Sequence, residues 1–209
     1  MTYYIILILT LLIFFSILFL NPNKKLNHIP YDNILKSHSI NNYNVPLVSS
    51  LVVIPTLVFF TEKIILLIYL GLYILGLFDD KYSITVNKRF VFSFILVLVS
   101  LILFQEFRIS HIYFFDHRYN LNILISICFS LLMIMGLFHV INMSDGRNCL
   151  ATIYCINIII FIIFKNSQLN ISYVNESLLL ISFILIFILN YFSKSFYGNS
   201  GILIIAFLI

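Results

Sequence analysis

The amino-acid sequence predicts an all-α polytopic membrane protein, with about seven complete transmembrane helices and a truncated eighth. Three observations carry this. Hydrophobic residues make up 62% of the 209 and charged residues only 10%, for a mean hydropathy of +1.08. A water-soluble domain of this length needs a larger polar fraction to cover its surface. The apolar residues also fall in runs close to the roughly 20 residues that a helix needs to cross a hydrocarbon core about 30 Å thick. Finally, the ionisable residues gather between those runs, none near the centre of one. The length is therefore counted in spans, giving one membrane-embedded domain over residues 1–209 that is expected to be incomplete at its C-terminus.

The first run, 3–20, is read as a retained helix starting outside. No positive region precedes it and no small-residue cleavage site follows, as a signal peptide would require, and Lys24 and Lys25 come after it. Further spans are predicted at 45–60, 63–78, 90–105, 121–141, 150–164 and 177–192. Pro55 should bend the second, because proline removes a backbone donor. An eighth begins at Gly201, and its apolar run from Ile202 to Ile209 is too short to cross. Cys128, Cys149 and Cys155 lie in or beside apolar segments and form no C-x-x-C pair, so they read as small packing residues. The net charge of +4 comes from scattered loop residues. No basic run resembles a nucleic-acid patch, so no nucleic acid is expected as a partner.

Seven complete helices make the loops alternate sides. One side holds 21–44, 79–89, 142–149 and 193–200. Extended to its helix ends, it carries Lys24, Lys25, Lys36, Lys81, Lys88, Arg89, Arg147 and Lys194; the other side has only Lys63, Arg108, Arg118 and Lys165. The positive-inside tendency places the first set in the cytoplasm of a multi-pass cell-membrane protein. Empty span centres weigh against a secondary transporter, which needs buried charge along its path.

Four constellations on that side could carry chemistry. Asp79 and Asp80 follow Gly76-Leu77-Phe78 at the end of the third span. Adjacent carboxylates repel unless a cation or donor offsets them, which suits a divalent-metal or base site as readily as a solvated loop. Asn142-Met143-Ser144-Asp145-Gly146-Arg147-Asn148 is an oxygen-rich, turn-prone string; it fits magnesium, a nucleotide edge or a capped turn. Phe196-Tyr197-Gly198-Asn199-Ser200-Gly201 puts two glycines before the last apolar run. There backbone amides could approach a phosphate, or simply make a turn. Lys36-Ser37-His38, with Val45-Pro46-Leu47 after it, offers a mobile charge for phosphate or for topology. That all four fall on one face beside lipid suits a reaction joining a soluble substrate to a lipid one.

Taken together, these motifs resemble those of the polyprenyl-phosphate N-acetylhexosamine-1-phosphate transferase family. Leu35 through His38 and Val45-Pro46-Leu47 are similar to its Arg-Lys-x-His and Pro-x-x-Gly-Gly. Gly76 through Asp80 matches Gly-x-x-Asp-Asp, with Arg89 at the downstream basic position. Asn142 through Ala151 resembles Asn-x-x-Asp-Gly-x-Asp/Asn-Gly-Leu-Ala, and Phe196 through Gly201 resembles Phe-x-Gly-Asp-x-Gly-Ser. The resemblance implies transfer of a sugar 1-phosphate from a UDP-N-acetylhexosamine-type nucleotide to a polyprenyl phosphate, with Mg²⁺, starting a cell-envelope glycan. A homodimer is left open. By position, Asp79 and Asp80 would be catalytic and Asn142 and Asn199 would ligate the metal. Lys36, His38, Arg89, Asp145 and Asn148 would bind substrate.

Several positions depart from the pattern. Asn199 stands where the family has Asp, Ser49-Ser50 replaces Gly-Gly, Cys149 replaces glycine and Ile202 replaces serine. The sequence also stops before the family's later cytoplasmic loop, with its histidine-rich motif. The alternative is accordingly an inactive or fragmentary member acting as a membrane scaffold or binder. A CDP-alcohol phosphotransferase would need aspartates downstream of Asp145-Gly146, and an isoprenoid-type transferase would need Asp-Asp-x-x-Asp where Ser83 occupies the fifth position.

Overall fold

A computed structural model describes residues 2–20, 45–60, 63–115, 117–144, 149–169 and 171–208. Lys36, His38, Asp145 and Asn148 lie outside the described residues.

Among the described residues, eight α-helices carry the fold: α1 (Thr2–Leu18), α2 (Ile54–Phe60), α3 (Lys63–Tyr82), α4 (Val86–Leu103), α5 (Ile123–Ser144), α6 (Leu150–Gln168), α7 (Val174–Tyr191) and α8 (Gly198–Leu208). Four of them, α4 to α7, are long and apolar enough to cross a membrane. Along these four, Val99, Ile102, Leu132, Phe161 and Ile184 face outward, as side chains do where hydrocarbon rather than water is the solvent.

The expected seven complete spans are not supported. α1, with 17 residues, is shorter than any of these four. The apolar part of α3 ends at Phe78, before Asp79, Asp80 and Lys81 in its last turn. The predicted span at 45–60 is not one helix. Residues 45–48 are irregular, a 3₁₀ turn follows at Ser49–Val52, and α2 then has only seven residues. Pro55 is the reason the break falls there: it occupies the first turn of α2, where its missing N–H leaves no bond unmade. It starts a helix instead of bending one.

The all-α expectation also needs correction between α4 and α5. His111–Phe114 and His117–Asn120 pair antiparallel as β1 and β2, with Ile112 opposite Tyr119 and Tyr113 opposite Arg118. Branched and aromatic side chains here favour a strand. The root of the hairpin is tied to α5, since the Ile109 N–H donates to Ser130 Oγ at 2.8 Å and the Ser126 hydroxyl donates to the Ile109 carbonyl at 2.9 Å.

The core is built around α8. Residues 202–207 are all buried, as expected of a helix that is apolar on every side. It packs most extensively on α3, and also on α5 and the 3₁₀ turn. At the crossing with α3, Gly76 is required: a Cβ there would collide with the Cα and N of Ser200 and reach 2.7 Å from the Asn199 carbonyl carbon. Between α6 and α7, the Asn190 amide donates to Thr152 Oγ1 at 2.9 Å, the kind of polar link that substitutes for a hydrophobic driving force in lipid.

Candidate active site

Four chain segments distant in sequence meet at the polar end of α3. The helix runs on through Asp79 and Asp80 to Tyr82, and Ser83, in the left-handed region at φ 51°, ends it. α4 starts at Val86, so the loop predicted at 79–89 shrinks to 83–85 and Arg89 falls in the first turn of α4. Asn142 likewise lies inside the last turns of α5, and Asn199 in the first turn of α8. The site is therefore made of helix ends rather than loops.

Asp79 is buried, and its Oδ2 accepts from Arg89 Nη1 at 2.6 Å. The same nitrogen donates to Asn199 Oδ1 at 3.0 Å. One guanidinium thus joins α3, α4 and α8, offsetting a carboxylate that would otherwise be costly to bury. Asp80 does something different. Its Oδ1 accepts the Asn199 N–H at 2.8 Å and its Oδ2 the Ser200 N–H at 3.1 Å, so it caps the start of α8. Asp80 lies beyond the apolar stretch of α3. There burial pushes its carboxyl above the usual carboxylate range, against the downward pull of these bonds to α8, and the charge of Asp79 adds to the rise.

Gly198 makes the cap geometry accessible. Its φ is +66°, and a Cβ would come 2.6 Å from Asp80 Oδ2 and 2.9 Å from the Leu47 Cβ. The glycines before α8 suggest, in the sequence, an opening for a phosphate at the helix start or a plain turn. The structure corrects the first of these, because the amides of Asn199 and Ser200 are already taken by Asp80. The described end of the first motif reaches the same place. Phe196 N–H donates to the Pro46 carbonyl at 3.0 Å, and Ser49 N–H to the Phe196 carbonyl at 3.2 Å. Ser195 Oγ completes the join, donating to the Pro46 carbonyl at 2.9 Å and accepting from Val48 N–H at 3.2 Å.

Beside this corner, α4, α5 and α8 line a cavity of about 150 Å³. Arg89, Ser93, His139, Asn142 and Asn199 supply its polar lining, and Val86, Phe90, Met135, Phe138, Ile202 and Leu203 the apolar walls. The structure thus brings together Asp79, Asp80, Arg89, Asn142 and Asn199. It adds His139, which the motifs in the sequence do not single out. A fifth span ending at 141 leaves Asn142 in a loop. Extending α5 to Ser144 places His139 and Asn142 one turn apart on one face.

The described donors do not fit a resident Mg²⁺ at Asn142 and Asn199. Magnesium wants near-octahedral oxygen ligands at about 2.0–2.1 Å, usually including a carboxylate. Here Asp79 Oδ2 is taken by Arg89 and both oxygens of Asp80 by α8, Asn199 Oδ1 accepts from Arg89, and the oxygen-bearing side chains that line the cavity are the neutral Ser93, Asn142 and Asn199. Among the described residues, no group of three or more His, Cys, Asp or Glu side chains comes together to hold a metal ion.

The sequence profile of glycosyl transferase family 4 matches residues 63–209, which include Asp79, Asp80, Arg89, Asn142 and Asn199. The chain belongs to that family. At the family level this means transfer of a phosphosugar to a lipid carrier. No curated protein matches the chain significantly. In this family 4 glycosyl transferase, the matched region runs from α3 through α8, so the Asp79-Arg89-Asn199 corner and the cavity lie wholly within it.

Proposed function

We propose that the chain transfers an N-acetylhexosamine 1-phosphate from a UDP-sugar to a polyprenyl phosphate, starting a cell-envelope glycan. The observation that supports this best is the amphipathic cavity beside the aspartate pair. Its polar end offers Arg89, His139 and Asn142, and its walls are apolar and lie between α4, α5 and α8, the first two of them long enough to span. A lipid phosphate needs both surfaces at once.

In this reading an oxygen of the lipid phosphate forms a bond to the β-phosphorus of the UDP-sugar. The bond from that phosphorus to the α-phosphate oxygen breaks, and UMP leaves with the electron pair. Asp79, held against Arg89, orients the guanidinium toward the reacting phosphates, and Asp80 fixes the start of α8 that carries Asn199. Arg89, together with Lys36 and His38, offsets the charge gathered as the diphosphate forms. Asp145 and Asn148 contact the nucleotide-sugar. The site faces the cytoplasm in this reading: across α4 to α7, Lys81, Lys88, Arg89, Arg147 and Lys194 fall on its side and Arg108, Arg118 and Lys165 on the other, which the positive-inside tendency favours.

The test is transfer of label from a radiolabelled UDP-N-acetylhexosamine into extractable lipid by membranes carrying the protein, with stoichiometric UMP. Loss of transfer in Asp79→Asn and Asp80→Asn supports the reading, and full activity in both overturns it. A second reading is a member that binds these ligands as a membrane scaffold without turnover. The neutral Asn199 at a position where the related pattern has an acid favours it. Binding of polyprenyl phosphate without any UMP release would decide for that reading.

A further inference from the structure

We infer that Arg89 itself is the resident cation of the Asp79-Asn199 corner, so that residue 199 serves as an acceptor for a guanidinium and not as a metal ligand. The inference deepens the transfer reading, on which it rests for the identity of the site, but its chemistry is that of the corner alone.

Arg89 Nη1 carries two N–H groups, and both have acceptors: Asp79 Oδ2 at 2.6 Å and Asn199 Oδ1 at 3.0 Å. A divalent ion bridging these two oxygens at about 2.0–2.1 Å would have to occupy the place of that nitrogen. Charge points the same way. With asparagine at 199, the buried Asp79 carboxylate and the guanidinium neutralise each other. An aspartate at 199 would present the same acceptor oxygen to the guanidinium, so Arg89 would go on filling that place and only its removal would open the corner to a metal ion. The three N–H groups on Nε and Nη2 remain for the cavity that Arg89 lines, and they form a fork suited to phosphoryl oxygens. The ligand class for this corner is therefore an anion, the phosphate or diphosphate of a substrate.

The test measures Mn²⁺ binding by electron paramagnetic resonance on the detergent-purified protein. Wild type, Asn199→Asp and the double variant Arg89→Gln/Asn199→Asp are compared. The expected result is that Asn199→Asp leaves Mn²⁺ affinity at the wild-type level, while the double variant tightens it by about ten-fold or more, the scale on which outer partners tune metal sites. Two results would overturn the inference. One is tightening of that size in Asn199→Asp with Arg89 intact, and the other is a double variant that binds no better than wild type. Should the double variant elute as aggregate in size-exclusion chromatography, Asn199→Asp alone decides. Absence of sugar-phosphate transfer alongside the expected Mn²⁺ pattern would count against the transfer reading and leave the cation assignment standing.

Discussion

Replacing Arg89 with glutamine should destabilise the fold, and the structure sets the size of the effect. The substitution removes the 2.6 Å partner of Asp79, whose side chain is only 3% exposed. Stripping one member from a buried ion pair costs about 3–5 kcal/mol. Because the Arg89 side chain is 23% exposed, water can reach the vacated position, and the cost should fall near the low end, about 3 kcal/mol. For a chain of this length that is roughly 6–12 °C in Tm. Adding Asp79→Asn removes the stranded charge and should recover part of the loss, with a coupling energy of about 1–2 kcal/mol. The chain has no tryptophan, so unfolding in detergent is best followed by far-UV circular dichroism across the four proteins of the cycle. If the double variant loses as much as the two single variants together, to within about 0.5 kcal/mol, the two residues are not coupled and the ion pair does not hold the corner.

Other outcomes follow from the same geometry. Gly76→Ala places a methyl against the backbone of α8, which cannot yield as a side chain would, and should cost about 1–3 kcal/mol by overpacking; an unchanged Tm would contradict the close crossing. The Asp80 carboxyl is raised above its ordinary value of 3.8. The folded protein then holds that proton more tightly than the unfolded chain does, so as pH rises above 3.8 the unfolded chain ionises first and stability falls until the folded carboxyl ionises as well. Wild type should therefore lose Tm relative to Asp80→Asn as pH rises through that window, and parallel curves would refute the assignment. His139→Gln should raise the KM for the lipid phosphate by roughly ten-fold with kcat little changed, the size of one hydrogen bond to a charged group. A kcat effect alone would remove His139 from binding.

Much of the helix order was legible in the sequence, because runs such as 91–103 in α4 and 178–189 in α7 are set by hydropathy alone. The second predicted span failed for a local reason. Pro46 and Pro55 interrupt a run whose composition is as apolar as its neighbours, and hydropathy does not register a missing N–H. The hairpin over 111–120 was hidden because a short stretch of mixed aromatic and polar residues looks like an ordinary loop between spans. At the site, the motifs singled out Asp79, Asp80, Asn142 and Asn199, but not what each one touches. That Asp80 caps α8, and that Arg89 reaches Asn199 across 110 positions, depends on how α3, α4 and α8 cross. His139 escaped notice because it falls inside the apolar run 121–141, whereas Asn142, one turn further along α5, reads as loop.

The central claim is that Asp79, Asp80 and Arg89 form one working transfer site, and the most direct measurement is of lipid-linked product. Membranes carrying the full chain are incubated with radiolabelled UDP-N-acetylhexosamine and polyprenyl phosphate, and extractable lipid label is counted against UMP released. The expected result is matched lipid label and UMP, falling about a hundred-fold or more in Asp79→Asn. Label that persists undiminished in Asp79→Asn and Asp80→Asn, or no lipid label at all from folded protein, would contradict it.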